Sequence, residues 1–328
     1  MEYNIGIDLG GTNINVGIVD SDYNIVGRGA LKTNLPRPEG EIADDIVKAA
    51  TFACDDAGIA IDEVASIGIG TPGSANRDSG IVIYSSNLGF DNTNLRELLA
   101  SRFKQMSKSE TKAFANIFVE NDANAAAYGE MLAGAAKDYD NVVVVTLGTG
   151  VGGGIIIDGK IYSGFNYYGA ELGHNVIEYG GRPCPCGRNG CLESYASATA
   201  LIKSTKEAMQ KDKNSKLWDI CDNIDNVNGK TAFDAMRLGD ATGKEVVDEY
   251  INYLGCGLVN IINTFQPQML LIGGGVCKEG DYLTRPLEAI IARESYKVSP
   301  DMATKLGVAR LGNDAGIIGA AFLYQMSE

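Results

Sequence analysis

The chain has 328 residues, with 42 acidic against 28 basic side chains and a formal charge of −14. That surplus argues against nucleic acid or an anionic membrane as a partner, so an anionic nucleotide would have to be held by local backbone amides and Mg2+. The length suggests two domains with a sizeable core. No apolar run approaches ~18 residues, and the longest apolar region, 142–157, is broken by glycines, so no transmembrane helix is expected. The N-terminal MEYNIGIDLGG enters a strand at once, without the basic and apolar regions of a secretion signal. Seven cysteines, four of them scattered (Cys54, Cys221, Cys256, Cys277), do not make a disulfide framework, and a reducing cytoplasm is the expected setting.

In chain order, 4–8 reads as a strand, Leu9-Gly10-Gly11-Thr12 as a turn, and 14–20 and 25–31 as the rest of an antiparallel meander. Thr12 and Asn13 put side-chain donors beside backbone that glycine lets approach a ligand closely. Residues 39–57 have helical periodicity, and 64–70 is a strand running into Thr71-Pro72-Gly73. The stretch 85–90 (SSNLGF) reads as a loop offering an amide, Asn87, and an aromatic, Phe90; a helix is expected over 95–103. Next comes 117–131, IFVENDANAAAYGEM: a short apolar strand, then Glu120, Asn121 and Asp122, then a helix-forming run. A carboxylate and an amide at a strand's carboxyl end lie where open α/β sheets bind ligands, although Asp122 alone would also serve as a helix N-cap.

Residues 141–147 form a continuous apolar strand, the pattern of one buried on both faces. It opens into Gly148-Thr149-Gly150-Val151-Gly152-Gly153-Gly154. The dinucleotide-binding pattern contained there fails on context, because Ile155-Ile156-Ile157-Asp158 continues as a strand and not a helix. A P-loop fails too, since no Gly-Lys-Ser/Thr follows. From Asp8-Leu9-Gly10 to Asp20 is twelve residues, and so is the distance from Thr146-Leu147-Gly148 to Asp158. Two such hairpins, one per half of the chain, are suited to hold a polyphosphate between backbone N–H groups. Residues 211–230 are polar and read as an exposed connection; 245–265 is an amphipathic helix stopped by Pro267; 269–272 is a strand leading to Gly273-Gly274-Gly275; and 314–324 is a closing helix.

Cys184, Cys186 and Cys191 give C-x-C-x4-C, with the chain's single histidine, His174, ten positions upstream. Three thiolates and an imidazole match a closed tetrahedral zinc site, structural because no position is left for water. Glu171 and Glu193 flank the cluster, which is therefore placed to make both carboxylates rigid.

Taken together, IDLGGTN, GIGTPG, SNLGF, ENDANAAAYGE, LGTGVGGGI, GAELGH, CPCGRNGCLE and GNDAGIIGAA resemble the ROK family of repressors and sugar kinases over essentially the whole chain, and within it the glucose-phosphorylating members. The resemblance implies an α/β, actin-like ATPase (ribonuclease H-like) fold with two domains around a cleft, 1–119 plus 312–328 and 120–311. It implies transfer of the γ-phosphoryl group of Mg-ATP to the 6-hydroxyl of a hexose, glucose first, with Asp122 as general base. By the same resemblance Asn87, Asn121, Asp122, Glu171, His174 and Glu193 contact sugar. Gly10, Gly11, Thr12, Asn13, Thr149 and Gly150 hold phosphates, Gly274 and Gly275 lie on the adenosine side, and Asp8 lies near Mg2+. His174 would use one ring nitrogen on zinc and the other on a sugar hydroxyl. Phe90 departs from the family pattern, where Trp is frequent. Kinases of N-acetylmannosamine, N-acetylglucosamine, fructose or mannose are the neighbouring expectations, and a homodimer is the expected assembly. The family's repressors carry an N-terminal helix-turn-helix module, whereas this chain begins at its first phosphate strand. A sugar sensor without a DNA-binding module, or an actin-like filament protein, are the non-enzymatic alternatives; the filament reading leaves the sugar motifs and the metal cluster without a role.

Overall fold

A computed structural model describes residues 2–106, 116–296 and 299–327. Two five-stranded sheets carry the chain. The first is built from β1 (Tyr3–Leu9), β2 (Asn13–Val19), β3 (Ile25–Lys32), β4 (Val64–Thr71) and β8 (Ile117–Asn121), in the order β3-β2-β1-β4-β8. β1, β2 and β3 form the expected antiparallel meander, and β4 and β8 add in parallel. The second uses β9 (Val142–Leu147), β10 (Val151–Ile157), β11 (Lys160–Ile161), β12 (Met269–Gly273) and β13 (Lys305–Val308), in the order β11-β10-β9-β12-β13. Hairpin, outer strand and following strands take corresponding places in both, so the twelve-residue echo marks a real duplication. A small third sheet joins β5 (Ser74–Asn76), β6 (Ile81–Ser85) and β7 (Phe90–Asn94). The stretch expected as loop over 85–90 is thus a hairpin turn with strand at both ends. Phe90 is 2 % exposed and belongs to the core.

By contacts the chain forms two compact units: Met1–Val142 with Gly154–Ala170 and Arg310–Glu328, and Val143–Gly153 with Glu171–Ala309. Residues 120–142 therefore go with the first unit, not with the second domain expected from residue 120 onward. The cause is packing between α3 (Asp122–Leu132) and α10 (Asp314–Ala321). A Cβ on Gly319 would lie 1.7 Å from the carbonyl oxygen of Ala125, so only glycine allows the two backbones to meet.

The first sheet separates its faces by residue type. Ile5, Ile7, Leu9, Ile14, Val16 and Ile18 enter the core with Ile42 and Ile46 of α1 (Glu39–Ala57). On the other face α10 lies directly on β4, since a Cβ on Gly68 would be 1.8 Å from the Ala320 carbonyl oxygen. Side chains that pair across strands share a face, so Asp8 opposite Asn15, and Asn13 opposite Lys32, make a polar stripe at the turn end of that face.

In the second unit α4 (Glu193–Ala196), α5 (Ala198–Lys211), α6 (Leu217–Ile220), α7 (Thr231–Arg237), α8 (Ala241–Phe265) and α9 (Asp281–Glu294) accompany the sheet. α8 begins four residues before the expected 245 because the Asp240 side chain accepts the Gly243 N–H and caps it. The 211–230 stretch is not simply an exposed connection. Leu217, Cys221 and Val227 are buried in a local cluster with Met209 and Ala235, and Trp218 Nε1 donates to the carbonyls of Met209 and Asp212. At the end of the chain the regular helix stops at Ala321, and a 3-10 turn follows over Leu323–Ser327. None of the described helices is long and apolar enough to cross a membrane.

Candidate active site

The strand-to-helix turn after β8 carries the central residues. Asn121 is the N-cap of α3: its Oδ1 accepts the N–H groups of Ala123 and Asn124 at 2.9 and 3.1 Å. Its Nδ2 donates to the Gly73 carbonyl at 3.0 Å, leaving one amide hydrogen for a ligand. Capping is thus done by Asn121, and Asp122 opens the helix with its carboxylate half-buried, Oδ1 accepting the Ala123 N–H at 2.8 Å. Burial pushes the Asp122 carboxyl above its ordinary range, opposed by that backbone hydrogen bond. Asp8, at the end of β1, is raised to about 6, first by burial and then by the negative charge of Asp122, against the hydrogen bond from Asn15 Nδ2 at 3.5 Å. Two carboxylates at the carboxyl end of a sheet, the charge of Asp122 raising the proton affinity of Asp8, suit a divalent cation, so the donor set fits Mg2+.

Gly10, Gly11, Thr12 and Asn13 form the turn between β1 and β2. Gly10 N–H donates to the Asn13 carbonyl, and Thr33 ties the turn from behind through the carbonyls of Gly10 and Thr12. Gly11 and Thr12 are left exposed, and Asn87, also exposed, is within reach: a Cβ on Gly11 would be 3.8 Å from Asn87 Cβ. The first unit therefore gathers Asp8, the 10–13 turn, Asn87, Asn121 and Asp122.

The second unit gathers the remainder. Thr149 is exposed in the turn between β9 and β10, and Gly150 abuts Glu193, whose Oε2 accepts the Val151 N–H at 3.0 Å. Gly274, with φ of 104°, packs its Cα against the Leu147 carbonyl at the end of β9, and Gly275 follows, exposed. Glu171 is exposed at the head of the 3-10 turn Leu172–His174, and Gly173 lets that turn sit on Val151.

The ligand atoms of His174, Cys184, Cys186 and Cys191 lie within 4.8 Å of one another. Cys184 Sγ is 3.6 Å from His174 Nδ1, and Cys186 Sγ is 3.7 Å from Cys191 Sγ, with no disulfide between them. Tetrahedral zinc with ordinary bond lengths requires edges of about 3.6 Å for S···N and about 3.8 Å for S···S. The four residues fit the metal, and the approach through Nδ1 leaves Nε2 of His174 for another partner. Glu193 Oε1 is 4.0 Å from Cys184 Sγ, so the cluster also buttresses that carboxylate. The loop is fastened by Arg182, whose backbone N–H donates to the Tyr195 hydroxyl oxygen and whose guanidinium stacks on the Tyr195 ring at 4.6 Å and pairs with Glu249 of α8. Tyr250 of α8 in turn donates to the Ala196 carbonyl, holding α4 and with it Glu193.

Sequence reasoning passed over Asn15 and Arg77. Asn15 was legible as a polar residue alternating with core residues in β2; Arg77, in the loop after β5, gave no local signal.

The ROK family model matches residues 4–327. The chain is similar to the glucokinase of Halalkalibacterium halodurans, 36 % identical over 327 residues, covering 99 % of this chain and 95 % of that protein. It is similar in structure to a ROK family glucokinase from Streptomyces griseus solved in complex with glucose and AMPPNP, with a TM-score of 0.77 and 33 % identity over 98 % of both chains. A xylose repressor of Bacillus subtilis is 29 % identical over 97 % of this chain, which spans 75 % of that protein. With the doubled sheet topology and these matches over nearly its full length, the chain belongs to the ROK family and has its actin-like fold.

Proposed function

We propose that the protein is an ATP-dependent hexose kinase that phosphorylates the 6-hydroxyl of glucose, with Asp122 as general base. The observation that carries this is the Asp122 carboxylate: Asn121 is the N-cap in its place, and it is held at a strand's carboxyl end and raised in proton affinity by burial, which makes it a better base than an ordinary aspartate. The likeness to glucokinases over nearly the full chain supports the substrate class.

In this reading Asn87, the free amide hydrogen of Asn121, Glu171, His174 Nε2 and Glu193 pair the sugar hydroxyls. Such a site rejects analogues that lack a hydroxyl, because its own polar groups would go unpaired. The turns at 10–13 and 148–150 present backbone N–H groups to phosphates, and Gly274 and Gly275 give the adenosine close access to backbone. Asp8 would hold Mg2+, directly or through water; the ion supplies charge neutralisation on the transferring phosphoryl group. Asp122 takes the proton of the 6-hydroxyl as the oxygen attacks in line. Zinc on His174, Cys184, Cys186 and Cys191 supplies rigidity to His174 and Glu193 and no chemistry of its own. A cytoplasmic homodimer is the working form of this proposal.

The likeness to a xylose repressor favours one second reading, a sugar-binding regulator. Asp122→Asn separates the two: it keeps the carboxylate's shape and removes its basicity. Turnover is expected to fall about 100- to 10,000-fold, with glucose binding by calorimetry retained. Turnover close to that of the unaltered protein would refute Asp122 as the base, and glucose binding without any turnover in the unaltered protein would favour the regulator.

A further inference from the structure

Glu120, the residue before the Asn121–Asp122 turn, is 1 % exposed, yet it belongs to none of the ligand sets above. Its Oε1 accepts the Asn121 N–H at 2.9 Å and the Asn124 side-chain N–H at 3.0 Å. One oxygen thereby brackets Asp122, binding the residue before it and the residue two after it. Oε2 faces Arg77 Nη1 at 3.5 Å, an ion-pair distance at which neither atom makes a hydrogen bond. Arg77, 18 % exposed, is set by Arg96, whose guanidinium donates to the carbonyls of Arg77, Asp78 and Ile117 at 2.7, 2.8 and 2.7 Å. The frame holding the cation is thus fastened to the first residue of β8, the strand that carries Glu120. Asp78, next to it, accepts the Tyr167 hydroxyl at 2.6 Å.

A neutral acceptor would satisfy the same two donors without the cost of burying a charge. A carboxylate makes shorter and stronger hydrogen bonds, which stiffens the turn, and Arg77 offsets the burial. We propose that Glu120, paired with Arg77, is a positioning residue that fixes the direction of the Asp122 carboxylate. This rests on Asp122 being the base. Glu130, on the same helix, shows what a structural carboxylate does here: equally buried, it accepts the N–H groups of Ala135, Arg310 and Leu311, each at 2.8 Å, away from the turn.

The test compares Glu120→Gln, Arg77→Lys and Glu130→Gln with the unaltered protein. Urea midpoint, kcat, and KM for Mg-ATP and glucose are measured, together with crystal structures of the unaltered protein and the variants, which show the direction of the Asp122 carboxylate. In Glu120→Gln the two clamping donors keep an acceptor, but an NH2 group is turned toward Arg77. The expected result is a folded protein with KM for Mg-ATP within about twofold and kcat lowered about 10- to 100-fold. The Asp122 carboxylate should turn from its direction in the unaltered protein in Glu120→Gln, where the bracket from Asn121 to Asn124 is weakened, and keep that direction in Arg77→Lys and Glu130→Gln. Arg77→Lys should retain most of kcat. Glu130→Gln should lose stability with kcat unchanged. Glu120→Gln with unaltered kcat and an unturned Asp122 carboxylate would overturn the proposal and leave the pair structural. Should the unaltered protein turn over no sugar, the kinase reading falls, while the direction of the Asp122 carboxylate still decides the positioning: a turn in Glu120→Gln sustains it and no turn overturns it.

Discussion

A methyl group at residue 150 would stand 2.3 Å from Oε2 of Glu193 and 3.2 Å from its Cδ. The carboxylate has to retreat by about 1 Å to reach ordinary contact distance. Oε2 now accepts the Val151 N–H at 3.0 Å, and a retreat of that size ends the hydrogen bond. A charged hydrogen bond of this kind contributes about 1.5–3 kcal/mol, and binding sugar in the variant must restore the lost orientation against that amount. At 1.4 kcal/mol per tenfold, Gly150→Ala should raise KM for glucose about 10- to 100-fold at saturating Mg-ATP. Gly148→Ala is the internal control, because a Cβ there meets nothing within 4 Å, and its glucose KM should stay within a few-fold of normal. Initial rates over a glucose series give both numbers. A Gly150→Ala protein with unaltered glucose KM would refute the placement of Glu193 among the sugar ligands, and equal effects at 148 and 150 would assign the loss to the turn itself.

Metal analysis of the purified protein should return about one zinc per chain. Removing it, or Cys191→Ser, should lower the melting temperature and raise glucose KM more than Mg-ATP KM, since His174 and Glu193 adjoin the cluster; active protein without zinc would contradict this. Asp8 has a raised proton affinity in the fold, so its contribution to stability is present below the ordinary aspartate range and lost as pH rises through about 6. Asp8→Asn should therefore gain stability over the unaltered protein as pH goes from 4 to 7 without ligands, while its affinity for Mg-ATP falls; denaturation curves parallel at all pH values would show Asp8 to be unperturbed.

Where the sequence was readable, the signal was local and physical. The Leu9-Gly10 and Leu147-Gly148 hairpins at equal spacing announced the duplicated sheets, because a glycine turn between apolar strands has few other outcomes. The gathering of His174, Cys184, Cys186 and Cys191 was readable because the four fall within eighteen residues. Asp122 was ambiguous alone, and it is the structure that gives the N-cap to Asn121. Glu120 was invisible as a positioning residue: a charged residue at a strand's end normally points to solvent, and Arg77, its partner, lies 43 positions away in the sequence. The 211–230 stretch misled because its composition is polar, with only three buried apolar residues, Leu217, Cys221 and Val227, among twenty. The grouping of 120–142 with the first unit depends on Gly129 and Gly319 meeting across α3 and α10, a pairing nearly 200 residues apart.

The central claim is tested most directly by initial rates with Mg-ATP across glucose, mannose, fructose, glucosamine, N-acetylglucosamine and N-acetylmannosamine. The proposed function predicts that glucose has the highest kcat/KM by a wide margin, with phosphate found on the 6-hydroxyl. An N-acetylated sugar in first place would contradict the substrate assignment, and binding of a sugar with no turnover of any would contradict the kinase itself.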